Sequence, residues 1–302
     1  EQVFDRLYEF LSKDTDNSVV YIGGDIAHSK TEMSPELVDQ LSRLFANLAD
    51  LCPTLIIAGN HDCNLNNRSR LDVLTPIVNN LRHKDLHYLK DTGVYRLADV
   101  DFAVLDVWDD PANLPNPKDM DAPTKVLLYH GTVDKAETDL GFMLPSDMKT
   151  HQFNGYDMVL LGDIHKRQFL NKEETIGYCG SLIQQNFAEA PEHGFLLWDV
   201  DARKSEFIQI KNDYGFKTIR VEDGEIKSKM NFVPKYGNIK IKYKNTPIDK
   251  LRLIELNLRQ KYQDIKQVVM EKVDSIEGKM NESTTKISIE DIHDLGVQNN
   301  LI

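Results

Sequence analysis

The 302-residue chain is 41% hydrophobic and 28% charged, enough apolar material for a substantial core in one or two domains. Gly and Pro are at ordinary levels, which excludes collagen-like and low-complexity classes. No apolar run is long enough to span a bilayer. The net charge of −12 taken alone argues against a nucleic-acid partner. That average conceals a division: residues 1–200 hold 17 basic and 32 acidic side chains, whereas 201–302 hold 19 and 16. Within 211–266 there are 14 Lys or Arg against 7 Asp or Glu, so an acidic module is followed by a basic one. The three cysteines, Cys52, Cys63 and Cys179, form no C-x-x-C pair. Together with the absence of a charged-then-apolar leader, they predict small core residues in a reducing, cytoplasmic compartment.

In chain order, Val19 to Ile22 reads as a buried strand ending at Gly23-Gly24. Ser34-Pro35 starts a helix whose apolar stripe is Leu37, Leu41, Leu44, Phe45 and Leu48. Thr54 to Ile57 is a second buried strand, and the spacing predicts a helix over 68–81 that Pro76 could kink. Strands are then predicted at 102–107, 125–129, 158–161 and 175–179. A hairpin pairs 195–200 with 207–210. Beyond residue 212, Ile239, Ile241 and Tyr243 alternate with Lys240, Lys242 and Lys244, a half-buried strand with a basic outer face. A helix over 251–262 follows, then mixed apolar and charged sequence to 273. The predicted organisation is an α/β sandwich over 1–212, a small α+β module over 213–280, and a linker over 281–302 leading into a short helix near Ile289 to Leu295.

Four polar clusters stand where predicted strands end: Gly24-Asp25 with His28, Gly59-Asn60-His61-Asp62, Tyr129-His130-Gly131, and Gly162-Asp163-Ile164-His165. Ligand crevices of open α/β sheets lie beyond the carboxyl ends of strands. Taken singly, each cluster could be a turn or a helix cap. Jointly they offer carboxylate, amide oxygen and imidazole, a ligand set suited to divalent Mn, Mg, Zn or Fe.

These motifs resemble the calcineurin-like metallophosphoesterase family. Within it they are similar to the SbcD-type DNA-repair nucleases, which include the recombination endonuclease subunit of tailed phages. His28, the segment Tyr178-Cys179-Gly180-Ser181-Leu182 with Phe187-Ala188-Glu189, and the small module after the sandwich carry the narrower resemblance. It implies a four-layer α/β/β/α sandwich with a DNA-facing cap and two divalent ions, Mn foremost. Asp25 would bridge the two metals. Asn60, His130 and Asp163 would complete one site, and His165 would serve the other. His61 would protonate the leaving oxygen, His28 would place the phosphodiester, and Asp62 would orient His61. Lys240, Lys242 and Lys244 would face DNA, although lysines alternating along a strand are also a common solvated face or edge protection.

The family's opening Asp-x-His has no counterpart before Asp25, so the chain is expected to lack a first strand. Asp163 stands where the family usually has His, which shifts metal preference from Zn toward Mn or Mg. The resemblance further implies a homodimer through the helices near 36–49 and 68–81 and a coiled-coil, SMC-like ATPase partner of the SbcC type. The full-length protein would then be an active DNA nuclease and this stretch alone would not. Two other functions compete: a small-molecule phosphomonoesterase or cyclic-nucleotide phosphodiesterase, and a catalytically degenerate scaffold.

Overall fold

The computed structural model describes residues 2–29 and 32–273. The expected linker over 281–302 and its short helix lie outside them, as do the last residues of the 213–280 module. Three helices and three strands open the chain: α1 (Gln2–Leu11), β1 (Val20–Ile22), α2 (Pro35–Leu51), β2 (Thr54–Ile56), α3 (Leu74–Leu81) and β3 (Leu86–Tyr88). The strands form a parallel sheet in the order β1-β2-β3. Helix α2 begins as the sequence predicts, with the Ser34 hydroxyl accepting from the Leu37 N–H and Pro35 in the first turn. Its stripe of Leu41, Leu44, Phe45 and Leu48 packs on this sheet with Ile56, Leu74 and Ile77, so the stripe is taken up by the chain's own core. Helix α1 is not among the predicted elements, although Val3, Phe4, Leu7, Tyr8 and Leu11 have helical spacing and all but Val3 pack on the same cluster.

The predicted helix over 68–81 is corrected: only Leu74–Leu81 is helical. Asn64 and Asn67 hold the preceding residues in turns through bonds to the Asn66 N–H and the Ser69 hydroxyl. The helix starts where Asp72 accepts from the Leu74 and Thr75 N–H groups. Pro76 therefore falls in the first turn, where its missing N–H costs nothing.

A second sheet contains β4 (Gly93–Leu97), β5 (Val100–Leu105), β6 (Thr124–His130), β7 (Met158–Gly162), β8 (Gln168–Phe169) and β9 (Ile176–Tyr178), in the order β4-β5-β6-β7-β9-β8. Its four central strands run parallel and its two edges antiparallel. Alternation along β6 divides two cores: Val126 and Leu128 face Leu55 and Ile57 between the sheets, while Leu127 faces outward to Val133, Met148 and Phe153. Loops and single 3-10 turns at 111–113, 117–119 and 150–153 border that outer face.

The hairpin β10 (Gly194–Asp199) and β11 (Lys204–Gln209) leads into a separate sheet of β12 (Tyr214–Glu222), β13 (Glu225–Ile226), β14 (Tyr236–Lys244) and β15 (Gln267–Lys272), ordered β13-β12-β14-β15. Helix α4 (Ile248–Lys261) covers one face through Leu251 and Leu258, packed on Ile219, Val221, Ile239 and Ile241. Two registers position the polar loops of the sandwich. Ile22 pairs with Ile56, and His130 pairs with Gly162, so the four loops leave at the carboxyl ends of neighbouring parallel strands.

Candidate metal centre

Glycine permits the approach of these loops. A Cβ on Gly59 would lie 2.2 Å from Asp25 Oδ1, and one on Gly162 would lie 2.0 Å from the Gly23 carbonyl oxygen. Asp25 and Asp163 both adopt positive φ, 53° and 97°, a conformation that L-residues rarely hold without a reason in the surrounding structure. The result is a cavity of about 210 Å³ whose lining includes Asn60, Asp106, Asp109, His130 and Asp163.

Ligand atoms of Asp25, His130 and Asp163 all lie within 4.8 Å of one another. His130 Nε2 stands 3.4 Å from Asp25 Oδ1 and 3.9 Å from Asp163 Oδ1. His130 Nδ1 is 2.6 Å from the Gly23 carbonyl oxygen; a carbonyl only accepts, so Nδ1 carries a proton and Nε2 is turned to the acids. Asp163 is steadied by the Thr132 hydroxyl at 3.0 Å, and Asp25 by the His61 N–H at 2.8 Å. Burial alone would raise the Asp25 carboxyl, but the His130 imidazole and the His61 N–H outweigh it and leave it below the ordinary carboxylate value. Burial opposes charging of His130, yet Asp25 and the Gly23 carbonyl prevail and raise its pKa.

The calcineurin-like phosphoesterase family profile matches residues 2–167, more than half of the sequence and all four polar loops. The chain belongs to the calcineurin-like phosphoesterase family. It is also 38% identical over 276 residues to a protein of Acanthamoeba polyphaga mimivirus named "Uncharacterized protein R555". That alignment covers 87% of this chain and 20% of the viral protein, so the chain spans about a fifth of its relative's length.

A family built on divalent metals fits what this site offers. Asn60 Oδ1 and His130 Nε2 are buried without a hydrogen-bond partner, and orphaned buried donor and acceptor atoms are rare in native structures. Both can present lone pairs beside two carboxylates, a hard-to-borderline set for Mn, Mg, Zn or Fe. Asp25, Asn60, His130 and Asp163 would hold one cation, and binding would displace the proton that Asp25 draws onto His130.

His165 stands outside this group: its Nδ1 bonds Glu189 Oε1 at 3.0 Å. The Glu189 bond, more than the opposing burial, raises the His165 pKa, and the charges of Asp25 and Asp163 add to it. His28 and His61 stack with ring centroids 5.5 Å apart and planes 13° from parallel. Their contact extends to the backbone, where His61 Nδ1 lies 3.3 Å from the His28 carbonyl oxygen.

The expected Asp62–His61 bond is overturned. Asp62 Oδ1 accepts from the Ile26 and Ala27 N–H groups at 2.9 and 2.8 Å, and Oδ2 from the Gly59 N–H at 2.8 Å. Asp62 is thus a clamp between the first two loops. Burial nevertheless pushes its carboxyl up to about 6.

Lys240, Lys242 and Lys244 are not on an edge, because β14 lies between β12 and β15; edge protection is excluded for them. Lys240 and Lys242 face Glu271 at 3.6 and 3.3 Å, and Lys244 faces Glu222 at 4.0 Å. Lys240 also lies over the Phe187 ring, 4.7 Å from its centroid. Sequence reasoning assigned no role to Glu189, Thr132 or Tyr178. The Tyr178 hydroxyl donates to the Gly131 carbonyl at 2.8 Å and accepts from the Val133 N–H at 3.0 Å, fixing the loop that follows His130. The signal for Tyr178 was an aromatic residue at a buried strand end, which packing explains equally well.

Proposed function

We propose that this chain is the nuclease part of an SbcD-type protein that hydrolyses DNA phosphodiester bonds in double-strand-break repair and recombination. The observation that carries the reading is the stacked pair His28–His61 beside the Asp25–His130–Asp163 group. The His61 N–H bonds Asp25 Oδ1 at 2.8 Å, so the pair stands next to a set of cation ligands, where a proton donor can serve the leaving oxygen of a phosphodiester. Two Mn ions, when bound, would neutralise the phosphate and lower the pKa of an attacking water. His61 then delivers a proton to the leaving oxygen as the P–O bond breaks. With its Nδ1–H turned to the His28 carbonyl, Nε2 of the doubly protonated ring is the nitrogen that gives up the proton, and it keeps a lone pair afterwards. His28 hydrogen-bonds a non-bridging phosphate oxygen and sets the phosphodiester against the metal ligands. In this reading Asp25 would be a ligand of both ions, and His165 would help hold the second.

The same reading includes a homodimer, a coiled-coil SMC-like ATPase of the SbcC type, and a cytoplasmic setting. No helix among the described residues is long and apolar enough to cross a membrane. The basic face of the four-stranded sheet, where Arg220 pairs with Lys242, would approach the DNA backbone. Replacing Lys240, Lys242 and Lys244 with Ala should then flatten the salt dependence of DNA binding, with a loss in slope of about 0.9 per phosphate contact removed.

The deciding assay supplies Mn to the full-length protein with linear duplex DNA, p-nitrophenyl phosphate and a cyclic nucleotide. DNA cleavage abolished by Asp25→Asn and His130→Ala is expected. Hydrolysis of the small esters with intact DNA would transfer the site to the phosphomonoesterase or cyclic-nucleotide phosphodiesterase class. Mn binding with no hydrolysis of any substrate would leave a scaffold.

A further inference from the structure

Glu189 lies in the loop between β9 and β10, 24 residues beyond His165, and its side chain is 2% exposed. A carboxylate buried that deeply needs donors around it. Oε1 accepts from Asn186 Nδ2 at 2.8 Å and from His165 Nδ1 at 3.0 Å. Oε2 accepts from the Gln185 N–H at 2.7 Å, with His193 Nε2 at 3.7 Å. Its position is therefore fixed by its own loop, independently of His165. Since the carboxylate can only accept, it holds the Nδ1 proton of His165 and leaves Nε2 as the ring's free lone pair.

Gln184, also buried, extends this arrangement to the second domain. Its Nε2 donates to the Glu189 carbonyl oxygen at 2.9 Å, and its Oε1 accepts from the Phe216 N–H of β12 at 2.8 Å. Beside it the Phe187 and Phe216 rings meet edge to face, with centroids 5.0 Å apart. A Cβ on Gly215 would come within 2.9 Å of Gln184 Oε1, so the strand backbone and the amide are closely fitted.

We propose that Glu189 is a positioning residue that presents His165 Nε2 to a cation, and that Gln184 sets Glu189 from β12, so the placement of the four-stranded sheet governs His165. The proposal rests on the reading of His165 as a cation ligand. Carboxylates behind metal-binding histidines fix the tautomer and raise ligand basicity, and their loss costs roughly 10–100-fold in metal affinity.

The test is Mn titration by calorimetry of the full-length protein and its Glu189→Ala, Glu189→Gln, Gln184→Ala and His165→Ala variants, with nitrogen-15 NMR of the histidine rings. Expected are a loss of about 10–100-fold in Mn affinity for Glu189→Ala and a smaller loss for Gln184→Ala. The double variant Glu189→Ala/His165→Ala should be no weaker than His165→Ala alone, because the two act through one ligand. Metal-free Glu189→Ala should show His165 shifting from the Nδ1–H form to a mixture of tautomers. Glu189→Gln keeps the volume of the side chain and an accepting oxygen but loses the charge, so a weaker Mn affinity is expected of it even if Glu189→Ala fails to fold.

Wild-type Mn affinity in both Glu189→Ala and Glu189→Gln, or an unchanged His165 tautomer in Glu189→Ala, would overturn the role of Glu189. Unchanged affinity in Gln184→Ala would remove the link to β12. Unchanged affinity in His165→Ala would overturn the ligand reading and this proposal with it. A loss in His165→Ala without one in Glu189→Ala would refute the positioning role alone.

Discussion

Substituting Asp62 with Asn separates a clamp from a group that orients His61. Asn retains an oxygen for the Ile26 and Ala27 N–H groups, which bond Oδ1 at 2.9 and 2.8 Å. Its Nδ2 then replaces Oδ2 and confronts the Gly59 N–H, donor against donor, at a contact of 2.8 Å. The lost charge-assisted bond is worth about 1.5–3 kcal/mol, and leaving a buried N–H unsatisfied costs about 1–3 kcal/mol. Relief of the burial that holds the Asp62 carboxyl at about 6 offsets part of this. A net loss of roughly 2–3 kcal/mol follows, or about 5–10 °C in Tm at 2–4 °C per kcal/mol. Thermal unfolding by calorimetry reads this directly, and Mn titration should show weaker binding as the Asp25 and Asn60 loops lose their common tie. A Tm within about 1 °C of wild type, accompanied by a shifted His61 ring signal, would refute the clamp and restore Asp62 to His61.

Gly59→Ala is the corresponding backbone test. With 2.2 Å between the new Cβ and Asp25 Oδ1, the first two loops must separate, and loss of Mn binding with retained far-UV circular dichroism is expected. Asp72→Ala should destabilise the fold by roughly 2–3 kcal/mol, because Asp72 accepts from the Leu74 and Thr75 N–H groups, the Thr75 hydroxyl and Lys90 Nζ. Burial tends to raise the Asp72 carboxyl, but Lys90 and Thr75 hold it below the ordinary carboxylate value. The folded state thus favours the ionised form. Its contribution is complete above the unfolded pKa of about 3.9 and disappears as pH falls through the lower folded value. Urea unfolding of wild type and Asp72→Ala at pH 7 and at pH 3 should show the difference in stability shrinking at the acid end. In the outer core, Leu127→Ala should cost about 3–4 kcal/mol in the same assay, since this fully buried side chain lies among Val133, Met148 and Phe153.

What could be read from the sequence divides along the distinction between local and distant causes. Asp25, Asn60, His130 and Asp163 were legible because each follows a run of apolar strand residues, and parallel pairing brings such strand ends together. The registers Ile22–Ile56 and His130–Gly162 are that mechanism. The start of α2 was legible for the same reason, since Ser34 and Pro35 act within one turn. The 68–81 helix was misjudged because its apolar spacing continues through residues that Asn64 and Asn67 hold in turns and whose Arg68 is drawn outward to Asp106 and Asp109. Asp62 was misassigned because adjacency to His61 in sequence implies proximity, whereas three backbone donors from two loops captured its carboxylate. Glu189 is the furthest case. Its segment Phe187-Ala188-Glu189 enters the resemblance without naming a partner for the acid; His165 arrives across 24 residues, and Gln184 bonds a strand residue 32 positions beyond itself. Ligands at strand ends follow from topology, but the groups that set their tautomer and aim depend on loop packing, and single-residue motifs carry no trace of that. The substitutions most informative about this site are accordingly those at Asp62, Gln184 and Glu189, where a change leaves every supposed ligand in place and alters only how the ligands are held.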